Sequence, residues 1–174
     1  MNTFIKPMLP IFLLAQFSIC LAAEPIKLTS TFNAKEIEWV KTAGNSSVSG
    51  SAEIRLENGE TKGCASFNVE LLPVASYSNE RIKLTYGNNK GGQILLSQNP
   101  PKFNPDVKAY HEMLISTTCN TKNEFIFTNI PKGDFYLIAF IMWDENKDGA
   151  PIPSGGAVMK RIVVTENSAI KVDL

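Results

Sequence analysis

The chain has 174 residues, with 17 Lys and Arg balanced by 17 Asp and Glu and a single His. That balance excludes a basic stripe for nucleic acid and an acidic interaction tail, and one imidazole is too few for a multi-histidine metal centre. The length and a 44% hydrophobic content suffice for one domain with a proper core.

At the N-terminus, Lys6 forms a short basic region, Met8 to Phe17 is apolar, and Leu21-Ala22-Ala23 supplies small residues for cleavage. Residues 1–23 therefore read as a secretory signal peptide cut after Ala22 or Ala23, too short and wrongly flanked to span a membrane. Cys20 is a poor lipidation site because Ile19 precedes it where a small residue is wanted. The expected location is periplasmic or secreted, and loss of Lys6 leaves 16 basic residues against 17 acidic. In an oxidising compartment Cys64 and Cys119 are expected to pair rather than remain as two buried thiols. The bond would close a loop of about 55 residues and contribute roughly 4 kcal/mol on the chain-entropy model.

Residues 24–45 form a lead-in in which Ala34 to Val40 fits a helical turn or an edge strand equally well. The domain proper is 46–174. Ser47 to Leu56 alternates as a half-buried strand, with Val48, Ala52, Ile54 and Leu56 on one parity. Asn58-Gly59 is a strong hairpin signal, and its partner strand is read as Cys64 to Leu72, stopped by Pro73. Arg81 to Tyr86 alternates as a further strand. Gly87 to Ala109, with Gly91-Gly92, Pro100-Pro101 and Pro105, is loop-like around Ile94-Leu95-Leu96, and a connection of that length suggests a binding loop, a flap or decoration. Tyr110 to Thr117 returns to strand.

The chain centres on Glu124 to Gly149. Phe125, Phe127 and Asn129 alternate with Glu124, Ile126 and Thr128, Pro131 and Gly133 supply turn residues, and Phe135 to Trp143 is an unbroken apolar run. This predicts a β-hairpin whose return strand is central in a sheet, closed by an acidic turn at Asp144 to Gly149. Ala157 to Thr165 and Ser168 to Val172 form a last pair across Glu166-Asn167. The sum is an all-β, antiparallel, seven- to eight-stranded sandwich in a single domain.

Phe125-x-Phe127 followed by Ile130-Pro131-x-Gly133-x-Phe135-Tyr136-Leu137 resembles the signature hairpin of carboxypeptidase regulatory-like domains, small Ig-like/transthyretin-like (prealbumin-like) β-sandwiches common in exported bacterial proteins. The resemblance extends through Val48-x-Gly50-x-Ala52, Cys64-Ala65-x-x-x-Val69-x-Leu71-x-Pro73 and Trp143 to Gly155-Gly156. Where that pattern commonly has glycine after Cys64-Ala65, this chain has Ser66. The resemblance implies a fold and a structural or interaction role in a bacterial envelope, and function must be argued from a site.

Catalysis finds no support in the residues. His111 lies in a strand-like run without a nucleophile elbow elsewhere, and nothing singles out a carboxylate pair. Asp144, Asn146, Asp148 and Gly149 match the opening of a calcium loop, but its twelfth position is Gly155 where a bidentate glutamate belongs. The plainer reading is a hairpin loop bonding its own backbone. The apolar run also has two faces. Phe135, Leu137, Ala139, Ile141 and Trp143 point one way, and Tyr136, Ile138, Phe140 and Met142 the other. A two-layer sandwich covers only one, so the second is covered by the 87–109 loop or the lead-in, or else it is an interaction face.

The expected function is a non-enzymatic exported binding or structural accessory module, recognising an envelope protein or glycan through the 87–109 loop and that outer face. No cofactor, nucleic acid or membrane span is expected. The alternative is a calcium- or carbohydrate-binding domain using the Asp144–Gly156 turn with Trp143 as platform. A more remote one is a small hydrolase on a transthyretin-like fold.

Overall fold

In the computed structural model the described residues are 24–147 and 149–174; the expected signal peptide (1–23, with Cys20) and Asp148 lie outside them. The strands in chain order are β1 (Ser46–Ser51), β2 (Glu53–Arg55), β3 (Thr61–Gly63), β4 (Asn68–Pro73), β5 (Gly91–Leu95), β6 (Ile115–Thr118), β7 (Glu124–Ile130), β8 (Gly133–Lys147), β9 (Ala150–Val164) and β10 (Ala169–Lys171). Helices α1 (Ser76–Tyr86) and α2 (Lys108–His111) interrupt them.

The apolar run takes the position its composition demands. β8 lies in the middle of a five-stranded antiparallel sheet, in the order β5-β9-β8-β4-β6. A three-stranded sheet, β10-β1-β7, and the short β2–β3 hairpin supply the other layer. Val48, Ile54, Phe125, Phe127 and Ile130 meet Val69, Leu71, Phe135, Leu137 and Ile141 in one buried core. The molecule is an all-β sandwich. One pair departs from antiparallel order, because β10 runs parallel to β1 with Val48 opposite Ile170.

The expected central hairpin is not one. β7 bonds to β1 while β8 bonds to β4 and β9, so Pro131-Lys132 carries the chain from one sheet to the other. The reason is that Phe125 and Phe127 must face an opposing apolar layer, and β8 provides it only from across the core. Asn129 takes the left-handed conformation at the crossing, with φ 57°. Gly133 serves a different purpose from a turn glycine. A Cβ there would fall 2.1 Å from the Trp39 ring, which closes over the start of β8. The expected last pair fails in the same way: β9 stays with β8 and β5, and β10 crosses to β1.

Asn58-Gly59 does form a hairpin, with the Leu56 amide donating to the Glu60 carbonyl (2.8 Å) and Gly59 at φ 85°. Its partner is only β3; the chain then turns at Ser66 and enters the other sheet as β4. Ser66 has φ 69°, a left-handed position that favours glycine. Arg81 to Tyr86, expected as a strand, belongs to α1. Ser78, Ile82 and Tyr86 recur every four residues along its inward side, while Leu84 is exposed. The Ser78 hydroxyl accepts from the Ala75 amide (2.8 Å) and donates to the Pro73 carbonyl (2.8 Å), fixing the helix start. Gly87 ends it at φ 73°. Tyr110 and His111, also expected in a strand, sit in α2, and the strand begins only at Ile115. The lead-in resolves into two 3-10 turns, Ala34–Glu36 and Glu38–Lys41, and buries Ile37 and Val40 in the main core.

Cys64 and Cys119 form the expected disulfide, Cα to Cα 5.7 Å, with Ala65 bridged to Cys119 beside it. Removing it by Cys64→Ala/Cys119→Ala should cost about 2–5 kcal/mol in urea unfolding. Ser66→Gly should raise stability by about 1 kcal/mol, since it removes a Cβ from a left-handed position.

Candidate functional site: a cleft on the outer face of the long sheet

The outer face of the five-stranded sheet is half covered and half open. Tyr136 and Ile138 are buried in a second core with Leu72, Tyr77, Ile82, Tyr110 and Met159. Both expected covers contribute, together with α1. Leu28 and Phe32 pack in from the lead-in, and Ile26 bridges to Phe103 of the 87–109 segment. The Tyr136 hydroxyl donates to Asn79 Oδ1 of α1 (2.6 Å). Further along β8 the cover ends, and Phe140 and Met142 are 39% and 40% exposed.

Where the cover ends, a cleft of about 340 Å³ opens. Its floor is Glu70 of β4 with Ile138 and Phe140 of β8; its walls are Arg81, Ile82 and Tyr86 of α1 and Pro101, Phe103, Tyr110, His111 and Leu114. Arg81 holds the walls together. Its guanidinium lies 4.4 Å from the Phe103 ring centre and 4.8 Å from that of Tyr110. It also donates to Asp106 Oδ1 (2.9 Å), the atom that His111 Nε2 approaches at 2.9 Å. The His111 hydrogen bond, with Arg81 beside it, holds the Asp106 carboxyl below its usual value despite some desolvation. Burial pushes the phenols of Tyr86 and Tyr110 up, so both remain neutral donors at any ordinary pH.

Glu70 differs from Asp106. Burial raises its pKa, partly offset by His111. It lies opposite Ile138 and Ser116, so its side chain emerges on the cleft floor. Among the described residues nothing donates to it. The expected interaction residues thus divide, with Tyr136 and Ile138 structural and Phe140 and Met142 open to solvent. Glu70, Arg81, Tyr86 and Phe103 come from segments far apart in the chain, and sequence reading did not group them. One local hint existed, since Glu70 is a carboxylate flanked by Val69 and Leu71 in a mostly apolar strand.

The acidic turn is shorter than expected. β8 runs on through Lys147, with Asp144 opposite Pro153, Asn146 opposite Pro151 and Lys147 opposite Ala150. Asp144 and Asn146 are exposed, and Asn146 Oδ1 accepts from the Gly149 amide (3.1 Å). Among the described residues no group of three or more His, Cys, Asp and Glu side chains converges as a metal set. Trp143 is partly buried against the main core, and its indole donates to Glu145 Oε1 (3.0 Å). Beside it, Asn58, Glu60 and Asp144 line another hollow of about 330 Å³.

No family model matches the chain, and no curated protein matches it. Among solved structures it is similar to a candidate carbohydrate-binding protein from Pseudomonas aeruginosa, with a TM-score of 0.68 and 22% identity. That match covers 83% of this chain and 97% of the other. At such identity the likeness concerns the sandwich fold. Among the described residues no helix is long and apolar enough to cross a membrane.

One carboxylate docks the lead-in part of the cover. Glu80 of α1 accepts from the amides of Thr29 (2.9 Å) and Ser30 (2.7 Å) and from both hydroxyls, docking the lead-in. Hydrogen bonding, led by the Ser30 hydroxyl, lowers its pKa from 4.5 to about 2. A depressed carboxylate contributes stability above its unfolded value and loses it as pH falls through the folded one. The protection of the Thr29 and Ser30 amides relative to intrinsic exchange at the same pH should therefore fall between pH 4.5 and about 2, whereas Glu80→Gln should already lack that protection at pH 6.

Proposed function

We propose that the protein is a non-enzymatic, exported glycan-binding module whose site is the cleft between α1, the 101–114 segment and the outer face of β8. The observation that carries this reading is the meeting, in one cleft, of exposed or half-exposed rings, Tyr86, Phe103 and Phe140, with the polar side chains of Glu70 and His111. A pyranose presents an apolar C–H face to a ring and hydroxyls around its rim, so a site for it needs both kinds of group at once. The cleft volume falls within the roughly 300–1,000 Å³ of small-molecule sites. Its open end leads over Phe140 to Met142, so a chain of sugars can enter without threading. The likeness to the Pseudomonas protein supports the same reading at the level of fold, and the disulfide suits an exported module. The carboxypeptidase regulatory-like resemblance is compatible with it.

A second reading places the glycan at Trp143, where Asn58 and Asp144 flank a partly exposed indole. The two are separated by one pair of variants. In glycan-array and calorimetric binding, Phe140→Ala should weaken the ligand at least tenfold with an unchanged melting temperature. Trp143→Phe should leave it within twofold. The reverse pattern would move the site to the hollow beside Trp143, and a wild-type protein that retains no glycan would end the proposal.

A further inference from the structure

Resting on the glycan reading above, we infer that the cleft selects sugars carrying a free, protonated amine, and that Glu70 is the group that reads the ammonium. The argument begins with the charges that face the cleft. Arg81 from α1 and His111 from α2 both engage Asp106, which accepts from them at 2.9 Å each. The Arg81 side chain is 14% exposed and stacked among rings, so it is committed to the wall. With Arg81 and Asp106 offsetting one another and histidine counted neutral, the cleft retains one negative charge, on Glu70.

That charge is half-buried and has no protein partner among the described residues. Glu70 sits on the floor between Ile138, Leu72 and Phe140, and no hydrogen bond or ion pair reaches it among the described residues. A carboxylate in such a setting gives up part of its hydration, and no protein group replaces what is lost. A sugar hydroxyl would return one hydrogen bond to it. An ammonium would return the hydrogen bond and the opposite charge, which is the larger gain in a partly desolvated site. The surrounding rings favour the same choice, because the faces of Tyr86 and Phe140 attract a cation as well as a C–H face. An N-acetylated sugar carries no charge at that position and leaves Glu70 as it stands.

The test is calorimetry at pH 7 with glucosamine tetramer and matched N-acetylglucosamine tetramer, on the wild-type chain and on Glu70→Gln. The wild type should bind the amine form at least tenfold more tightly. Glu70→Gln should reduce that ratio below threefold while still binding the acetylated form, and its melting temperature should hold or rise because an unpaired charge has been removed. Phe140→Ala should weaken both tetramers, separating cleft binding from non-specific attraction of a polycation. Equal wild-type affinities would overturn the amine preference and leave the glycan reading intact. A preference that survives Glu70→Gln would remove Glu70 from the role. Binding of neither tetramer, with no other glycan retained, would sink both.

Discussion

Nine consecutive apolar residues, Phe135 to Trp143, lie on one strand at the centre of a sheet, and a two-layer sandwich can bury only every second one. Most of the remaining architecture answers that mismatch. The inward set, Phe135, Leu137, Ala139 and Ile141, joins the main core. The outward set would present a continuous apolar stripe to water unless a third layer formed. Burying a side chain such as Tyr136 or Ile138 contributes about 1.5–3 kcal/mol, enough to recruit α1, the lead-in and the 101–114 segment as cover. Those pieces are secured by polar contacts rather than by sheet pairing: Tyr136 to Asn79, Glu80 to Thr29 and Ser30, and Arg81 to Asp106.

The cover stops short, and the cleft exists because it does. α1 ends at Gly87 and the 101–114 segment crosses at Phe103 and Tyr110, so Phe140 and Met142 extend beyond its edge. A gap at the rim of an apolar layer brings together rings and the polar groups that tether them. Arg81 illustrates the economy of this arrangement. It closes the wall by stacking on Phe103 and Tyr110, and by neutralising Asp106 it leaves Glu70 as the cleft's unbalanced charge. The same residue therefore shapes the hollow and sets its electrostatic sign.

Two devices keep the layers in register. The Cys64–Cys119 bond joins the chain leaving β3 to the chain between β6 and β7, tying one sheet to the other at the point where the chain changes layers. At the opposite crossing, Trp39 seats over Gly133 and stacks edge-on against Phe135 at 5.3 Å. The lead-in is thereby part of the core instead of an appendage.

Local chemistry in the sequence determined a good deal: the sandwich class, the centrality of Phe135–Trp143, the Asn58-Gly59 turn, the pairing of the two cysteines and the unmet demand of the outward face. These follow from two-residue alternation, backbone preference and compartment, which act over a few residues or on the whole chain at once. Tertiary structure alone decided which strands bond to which. Phe125–Asn129 and Phe135–Trp143 look like a hairpin from their turn, yet they separate because their aromatic faces need each other across the core. It also decided that Arg81–Tyr86 is helical, since a six-residue alternation is ambiguous until Ser78, Ile82 and Tyr86 find a surface to cover. The cleft was the least legible part. Glu70, Arg81, Phe103 and Phe140 are up to 70 positions apart in the sequence, and what makes them a site is proximity, which only packing creates.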